Sequence, residues 1–412
     1  MDKDGIYFLH IPKCAGTTFR TWLENNFHCD DIVSLWDDIN ISKIPPSILR
    51  NKKCISSHSG WWPMDYLART HRVVTVLRDP TERTISSYRY ILQSSHHILN
   101  GAAKSMDILD FFKHPKIRRY MANWQTRHLA FQSIQESTDI QAYDTPLDNE
   151  SFIESYDEKA LERAIRNVKN VDFLGLSKNV NELMHSICHF YGWYPPECLP
   201  KFNMTQPEFT ANTTQEVLDE IRSINVIDQA VYDFAVEEIE RRNNKIFSRD
   251  EAMDKFIKQI SSQNRQNGDF RFDFNEQFSG EGWYGRESEQ NGYTVRWTGP
   301  ENSSSVYVRL CPSNDYNITM MASSYLPDII DGIEMYANDV KLPLSLYQPP
   351  NVPSHTRMVS TRIEASALKA SNGIVNFSIH LPRTVVPHEI NSADSDRRAL
   401  GVYVHWLDFT KL

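Results

Sequence analysis

A lysine followed by a short glycine-and-hydroxyl turn is the feature of this sequence best suited to holding a charged group. Residues 8–20 read FLHIPKCAGTTFR, an apolar strand that runs directly into a turn and then a helix. The turn 14–18 can direct successive backbone N–H groups at one anion, and the helix N-terminus adds a partial positive charge. Lys13 adds a full charge. In the Walker pattern the lysine follows the glycines, whereas here it precedes Gly16, so an ordinary ATPase or kinase is disfavoured.

A second segment has the same strand-then-helix form. Residues 72–92 read RVVTVLRDPTERTISSYRYIL, and we expect Asp79 or Thr81 to cap the helix. Arg78 ends the predicted strand, at the edge where open α/β sheets bind ligands. Ser86 follows about two helical turns later. The segment therefore predicts a second anion site, although a local ion pair between Arg78 and Asp79 is an alternative.

Together the two segments resemble the paired loops of sulfotransferases that use 3′-phosphoadenosine 5′-phosphosulfate, in particular the heparan sulfate 2-O-sulfotransferase-like branch. HIPK-x-AGTT and RDP-x-ER-x-x-S-x-Y recur in that branch. The resemblance implies the following residues for binding this co-substrate: Lys13, Ala15, Gly16, Thr17, Thr18, Arg78 and Ser86. The first loop would hold the 5′-phosphosulfate and the second the 3′-phosphate. Cys14 stands where the family usually has threonine, which leaves the backbone cradle possible but removes one hydroxyl.

A histidine between the two loops is the candidate general base. Residues 54–62 read CISSHSGWW and resemble the family's strand and turn that carry this base, which maps onto His58. Sulfuryl transfer requires the acceptor hydroxyl to lose a proton, and an imidazole with its ordinary pKa of about 6.5 suits that task. Lys13 would also be catalytic, because charge builds on the departing phosphate. The reaction requires no metal, and we expect His10 to be a buried polar group.

A basic cluster follows in residues 113–128, KHPKIRRYMANWQTRH. We predict a wall that attracts an acidic glycan acceptor. Its candidate substrate-binding residues are Arg118, Arg119, Arg127 and His128. A solvated helical face is the alternative interpretation.

Composition limits the class of protein. The chain has 412 residues, 40% of them hydrophobic and 24% charged, and its net charge of −9 argues against nonspecific nucleic-acid binding. The six cysteines have no zinc-site spacing. There is no apolar run of 18 residues, and the first strand begins too early for a signal peptide. We expect a cytoplasmic enzyme, or one from the Golgi lumen if the chain is a trimmed form.

The spacing of apolar residues changes along the chain. We predict an α/β sulfotransferase domain over 1–250, with a P-loop-like parallel central sheet flanked by helices. A polar linker follows over 251–270. Residues 271–412 alternate apolar and polar residues between turn signals, which predicts an antiparallel β-sandwich with a possible carbohydrate-binding role. Its aromatic residues Trp283, Tyr284 and Trp297 could stack on sugar rings, but core packing is the commoner fate of such residues.

Two functions of other classes stay open at this stage. A nucleotide-dependent kinase would need an acidic residue that holds Mg²⁺ near the cradle. A catalytically inactive glycan-binding protein would keep sugar affinity without turnover. The favoured prediction is a sulfotransferase acting on a carbohydrate hydroxyl.

Overall fold

The computed structural model describes residues 5–35, 41–136, 150–197, 199, 213–242, 247–262, 268–272, 274–289 and 294–412. The chain forms two compact units. The first comprises Met1–Arg20, Asp31–Met184 and Lys201–Ile246, and the second comprises Thr21–Asp30, His185–Pro200 and Phe247–Leu412. Each unit therefore gathers separate stretches of sequence, a division that differs from the predicted boundaries at 250 and 271.

The elements are as follows in chain order. The strands are β1 (Gly5–Leu9), β2 (Ile32–Leu35), β3 (Cys54–Ser57), β4 (His71–Leu77), β5 (Phe173–Leu176), β6 (Phe270–Phe272), β7 (Gly280–Glu281), β8 (Glu287–Ser288), β9 (Thr294–Trp297), β10 (Ser303–Arg309), β11 (Tyr316–Ser324), β12 (Glu334–Ala337), β13 (Val340–Lys341), β14 (Ser345–Tyr347), β15 (Thr356–Ile363), β16 (Ile374–His380) and β17 (Val402–Lys411). The helices are α1 (Gly16–Glu24), α2 (Pro46–Arg50), α3 (Pro63–Tyr66), α4 (Pro80–Gln93), α5 (Asn100–Ser105), α6 (Ile108–Lys113), α7 (Pro115–Met121), α8 (Trp124–Ala130), α9 (Glu150–Asn170), α10 (Val180–Tyr191), α11 (Gln215–Ile224), α12 (Val226–Arg241), α13 (Arg249–Ser262), α14 (Pro327–Asp331), α15 (Ala365–Ala370) and α16 (Pro387–Ile390).

A parallel sheet forms the centre of the first unit. Its strands run in the order β2-β3-β1-β4-β5, and β1 pairs in parallel with both β3 and β4. Every residue of β1 is buried, as expected for a parallel strand whose two faces are covered by other elements. The carboxyl ends of β1, β3 and β4 therefore meet at one edge of the sheet, and the segments that carried the sequence motifs follow these strands.

Antiparallel sheets dominate the second unit. One has the order β13-β12-β16-β10-β7, and the other has the order β14-β15-β11-β17-β9-β8 with β6 paired to β17. Side chains of both sheets share one apolar core, which confirms the predicted β-sandwich. Trp283 and Tyr284 are buried, so core packing is confirmed for these two, while Trp297 is half-buried and stacks on Tyr325.

The predicted linker is wrong over its first part, because α13 occupies residues 249–262. This polar stretch carries Ala252, Phe256 and Ile260 at four-residue spacing, and all three are buried. Phe256 and Ile260 pack with Tyr194 and, through a partly buried contact, Tyr307. Met253 and Ile257 are partly buried and pack against the same cluster, so the helix docks through one apolar face while its other residues are polar. Among the helices that the structure describes, none has the length and apolar character needed to cross a membrane.

Candidate active site

The loop between β1 and α1 has a backbone shaped for an anion. Lys13 has a φ of 70° and Ala15 a φ of 65°, a left-handed conformation that costs a non-glycine residue about 1–3 kcal/mol. Left-handed residues within a turn are a means of directing backbone N–H groups into an anion-binding concavity. The helix α1 begins directly afterwards at Gly16, so its N-terminal N–H groups face the same loop. The loop therefore stores strain where the sequence predicts binding.

Gly16 is required by a neighbouring ring. A Cβ at this position would overlap the imidazole of His10. His10 is buried and stacks on Phe8 with ring centroids 5.1 Å apart, which confirms its prediction as a buried polar residue. Burial lowers the pKa of His10 well below 6.5, with further lowering by nearby His58, so the ring beneath the loop is neutral.

Cys14 points its thiol into the protein core. The side chain is buried among apolar residues, and its Sγ donates to Oε1 of Gln125 at 3.4 Å. Burial raises the pKa of this thiol to about 12. The replacement of the family's usual threonine by Cys14 therefore changes the core side of the loop, and the backbone cradle keeps its form.

Lys13 lies among other cations. Its Nζ sits 4.4 Å from the centroid of the Tyr90 ring. Burial and, to a smaller extent, the positive charges of Arg78 and Arg83 together lower the pKa of Lys13 to about 8. A lysine that is partly desolvated beside two guanidinium groups has a strong electrostatic preference for a bound anion.

Arg78 connects the second loop to the first. Asp79 caps α4 by accepting from the backbone N–H of Glu82 at 3.0 Å, as predicted. The guanidinium of Arg78 donates through Nε to Glu82 at 3.3 Å and through Nη1 to the carbonyl of Lys13 at 3.3 Å. Its ionic partner is thus Glu82 rather than Asp79. Ser86 lies further along α4 and is partly exposed.

His58 follows β3 and lies beside His10, with ring centroids 4.3 Å apart. It is half-buried, whereas His10 and His128 are buried. Burial lowers the pKa of His128 to about 3, and its Nδ1 lies 2.8 Å from the carbonyl oxygen of Trp124. Of these three neighbouring imidazoles, His58 is the one with access to solvent.

The turn after His58 is anchored by backbone groups. The hydroxyl of Tyr7 donates to the carbonyl of Gly60 at 2.6 Å, and the N–H of Trp61 donates to the carbonyl of His128 at 2.9 Å. Gly60 has a φ of +71°, and a Cβ at this position would overlap that same His128 carbonyl. His128 thus supports the His58 turn through its backbone.

The predicted basic wall is wrong for Arg127 and His128, because both side chains are buried. Nη1 of Arg127 donates to the carbonyl of Arg119 at 2.8 Å, so this cation serves the packing of helices. Arg118 forms an ion pair with Glu220. Arg119 is partly exposed. The helix α8 is buried along its whole length, and its basic residues do not form an open surface.

The comparison with protein families decides the class of this arrangement. The model of the sulfotransferase family matches residues 1–267. The chain belongs to the sulfotransferase family.

Curated relatives of this sulfotransferase-family chain include heparan-sulfate 6-O-sulfotransferase 3 from Homo sapiens and from Mus musculus. Each is 23% identical over 290 residues, which cover 58% of this chain and 58% of the relative. The chain therefore spans little more than half the length of these relatives. Both names specify 6-O-sulfation, whereas the loops resembled the 2-O branch, so the predicted branch stays a prediction.

Solved structures similar to part of the chain include carbohydrate-binding modules. A CBM6 from Clostridium stercorarium in complex with cellobiose has 13% identity and a TM-score of 0.22, and covers 37% of this chain and 99% of its own. A β-1,3-glucan binding CBM6 from Bacillus halodurans has 12% identity and a TM-score of 0.23, and covers 36% of this chain and 99% of its own.

The residues of this sulfotransferase-family site fit a nucleotide with two anionic ends. The absence of a side chain at Gly16 lets the loop lie directly against the imidazole of His10. Lys13 and Arg78 supply cations on the two loops, and Arg83 lies buried beside them. Nε of Arg83 is a buried donor for which the described residues offer no acceptor. The excess of positive charge and free donors is what a polyanionic co-substrate requires.

Sequence reasoning missed two buried side chains of the site. Gln125 is 1% exposed and Asp228 is fully buried; Gln125 bonds to Arg78 of the second loop, and Asp228 bonds to the backbone of Gln125. Gln125 lies within residues 113–128, for which only the basic side chains and His128 were predicted to have a role. Asp228 lies in α12, within a helical pattern that carried no motif.

One group outside this site brings potential metal ligands together. In the second unit, ligand atoms of His28, Cys29 and Asp30 lie within 4.8 Å of one another. Nδ1 of His28 already accepts from the backbone N–H of Asp30 at 3.1 Å.

Proposed function

We propose that this protein transfers a sulfuryl group from 3′-phosphoadenosine 5′-phosphosulfate to a hydroxyl group of a glycan. The observation that carries the proposal is the bond between the two loops, in which Nη1 of Arg78 donates to the carbonyl of Lys13. The candidate 5′ and 3′ sites thereby become parts of one surface, and His58 follows the neighbouring strand β3. Family membership supports the reaction class.

Each residue then has a distinct role. The bound co-substrate supplies an activated sulfuryl group. Lys13 and the N–H groups that open α1 bind the 5′ end and stabilise negative charge on the leaving phosphate. Arg78 and Ser86 bind the 3′-phosphate. His58 accepts the proton of the acceptor hydroxyl through a ring nitrogen and, being half-exposed, returns it to solvent.

The glycan acceptor rests on the relatives, whose names specify heparan sulfate. The proposal specifies a carbohydrate hydroxyl as the acceptor but does not specify which ring position carries it. Since Arg127 and His128 are buried, acidic groups of the acceptor need other partners than the predicted wall.

The kinase alternative is disfavoured by the acidic residues near the loops. Asp79 caps α4 and Glu82 pairs with Arg78. Asp228 accepts from the backbone N–H and the hydroxyl of Thr126, both at 2.7 Å. These carboxylates are therefore engaged with protein donors, and none of the three is placed to hold Mg²⁺ beside a nucleotide. A turnover assay distinguishes the proposed enzyme from an inactive glycan-binding protein, which would show no sulfuryl transfer.

Calorimetric titration with adenosine 3′,5′-bisphosphate tests the proposal. We expect the protein to prefer this ligand over AMP and ATP. Arg78→Ala should weaken binding of the bisphosphate by about 2–4 kcal/mol, since a charge contact between phosphate and a side chain only 29% exposed is lost. Arg69→Ala is the matched control, because that guanidinium is 75% exposed. No binding by the wild type, or a preference for ATP, would contradict the proposal, and unchanged affinity of Arg78→Ala would remove the 3′-phosphate role.

The lowered pKa of Lys13 predicts a pH dependence. Because the ammonium group is the form that binds an anion, and its pKa in the free protein is about 8, a bound anion must raise that pKa. Affinity for adenosine 3′,5′-bisphosphate should therefore be constant below pH 8 and fall above it, by at most about tenfold per pH unit. Calorimetry between pH 7 and 9.5 measures this fall. A Lys13→Arg variant, whose cation does not titrate there, should bind with little pH dependence, and an equal fall in both proteins would refute the lysine as its source.

A further inference from the structure

A buried side-chain amide holds the two anion-binding loops in register. Oε1 of Gln125 accepts from the backbone N–H of Arg78 at 2.9 Å, and its Nε2 donates to the carbonyl of the same residue at 2.8 Å. The same Oε1 accepts from Sγ of Cys14 at 3.4 Å in the first loop. Gln125 thus pairs with Arg78 as a neighbouring strand would, at the point where β4 ends, and bonds to the residue that follows Lys13.

The position of Gln125 is itself fixed by two helices that cap each other. At the start of α8, the N–H groups of Gln125 and Thr126 donate to the carboxylate of Asp228 at 3.1 and 2.7 Å. At the start of α12, the N–H groups of Ile227 and Asp228 donate to Oδ1 of Asn123, both at 3.1 Å. Each helix therefore supplies the cap of the other, which leaves Gln125 little freedom to move along or around its helix.

We propose that Gln125 is a positioning residue that sets the spacing between the two loops, and thereby makes the site selective for nucleotides that carry a 3′-phosphate in addition to a 5′ group. The inference rests on the proposed function, since it concerns the same site. The guanidinium of Arg78 can reach the Lys13 carbonyl only while the Arg78 backbone stays where Gln125 holds it.

The selectivity follows from how the two ends of a ligand use the loops. A nucleotide with a 5′-phosphate alone needs the first loop, whose conformation has its own support in α1 and His10. A bisphosphate needs both loops at a suitable separation, because its two anionic groups are joined through the same ribose. Loss of the amide leaves the N–H and carbonyl of Arg78 without their partner, so the second loop shifts to find others.

The test compares two ligands on three proteins. Dissociation constants for adenosine 3′,5′-bisphosphate and for AMP are measured by calorimetry with wild type, Gln125→Leu and Gln93→Leu. Leucine approximates the volume of glutamine without its polar atoms, and Gln93 is an exposed residue at the end of α4. We expect Gln125→Leu to weaken binding of the bisphosphate by about 10- to 100-fold, because two partly buried hydrogen bonds are lost, and to weaken binding of AMP by less than about threefold. Gln93→Leu should match the wild type for both ligands.

A second variant keeps the test decisive if Gln125→Leu does not fold. Gln125→Glu retains the length and an acceptor for the Arg78 N–H, but removes the donor to the Arg78 carbonyl. In this variant the dissociation constant for AMP divided by that for the bisphosphate should be about tenfold smaller than in the wild type. Thermal unfolding by circular dichroism shows which variants are folded.

The outcomes separate the two proposals. A wild-type protein without preference for the bisphosphate would refute the proposed function. A preference that persists unchanged in the folded Gln125 variants would overturn the positioning role alone. An equal loss for both ligands, accompanied by a lower melting temperature, would also overturn it, because it would mark Gln125 as a general packing residue.

Discussion

Replacing His58 with alanine should reduce the rate of sulfuryl transfer by about 10²- to 10⁴-fold while leaving the affinity for adenosine 3′,5′-bisphosphate within about twofold. His58 is the half-buried member of a histidine group whose other members, His10 and His128, have their pKa values lowered by burial. Those two rings are neutral and enclosed, so they cannot replace His58 in exchanging a proton with an acceptor hydroxyl. The measurement is single-turnover transfer to a heparan precursor, alongside calorimetry.

Two comparisons make the His58 result specific. His96→Ala changes an exposed histidine of the same unit and should leave the rate unchanged. Free imidazole added to His58→Ala should restore part of the lost rate, since the deletion leaves space for a base in the position of the ring. A His58→Ala enzyme with wild-type turnover would assign the base to another residue, and equal loss of nucleotide affinity would indicate a collapsed turn.

Lys13→Ala should lower turnover by at least about 10²-fold, through the loss of charge stabilisation on the leaving phosphate. The effect should be large because Lys13 is partly desolvated, as its lowered pKa of about 8 indicates, and electrostatic interactions are stronger where water is excluded. The rate at saturating co-substrate is the quantity to measure, because it separates stabilisation of the transition state from weaker binding.

Two variants serve as controls for Lys13→Ala: one removes a lysine at another position, and the other keeps the positive charge at position 13. Lys104→Ala removes an exposed cation of the same unit and should have no effect on the saturated rate. Lys13→Arg preserves the charge but carries a larger, planar group at a position with left-handed backbone, so we expect partial activity. Wild-type turnover by Lys13→Ala would exclude the lysine from catalysis.

The features predicted correctly from the sequence are those encoded by adjacent residues. The strand, turn and helix around Lys13, the cap at Asp79 and the burial of His10 each depend on a few neighbouring positions. The β-sandwich follows from alternation within single strands, as in β11, whose residues alternate between buried and less buried. Such local patterns can be predicted because they depend on the backbone geometry of consecutive residues.

The features that were missed depend on contacts between distant residues. Arg127 and His128 were predicted to be exposed because charged side chains usually are, yet α8 is buried along its whole length. The N–H groups of its first turn donate to Asp228, more than a hundred positions away. Asp228 contacts Gln125, which is 103 positions away in the sequence, and no periodic pattern in the sequence predicts such a contact. The helix α13 was read as a linker since its apolar residues are few.

The reciprocal caps of α8 and α12 also impose an order on how the protein can mature. During synthesis both loops leave the ribosome more than a hundred residues before Asp228, which is 103 positions beyond Gln125. Until that carboxylate emerges, the first turn of α8 lacks its acceptor and Gln125 has no fixed position from which to join the loops. A nascent chain that ends before α12 therefore contains the candidate nucleotide-binding residues but lacks the carboxylate that fixes Gln125, and we expect it to bind the nucleotide only after α12 has been made.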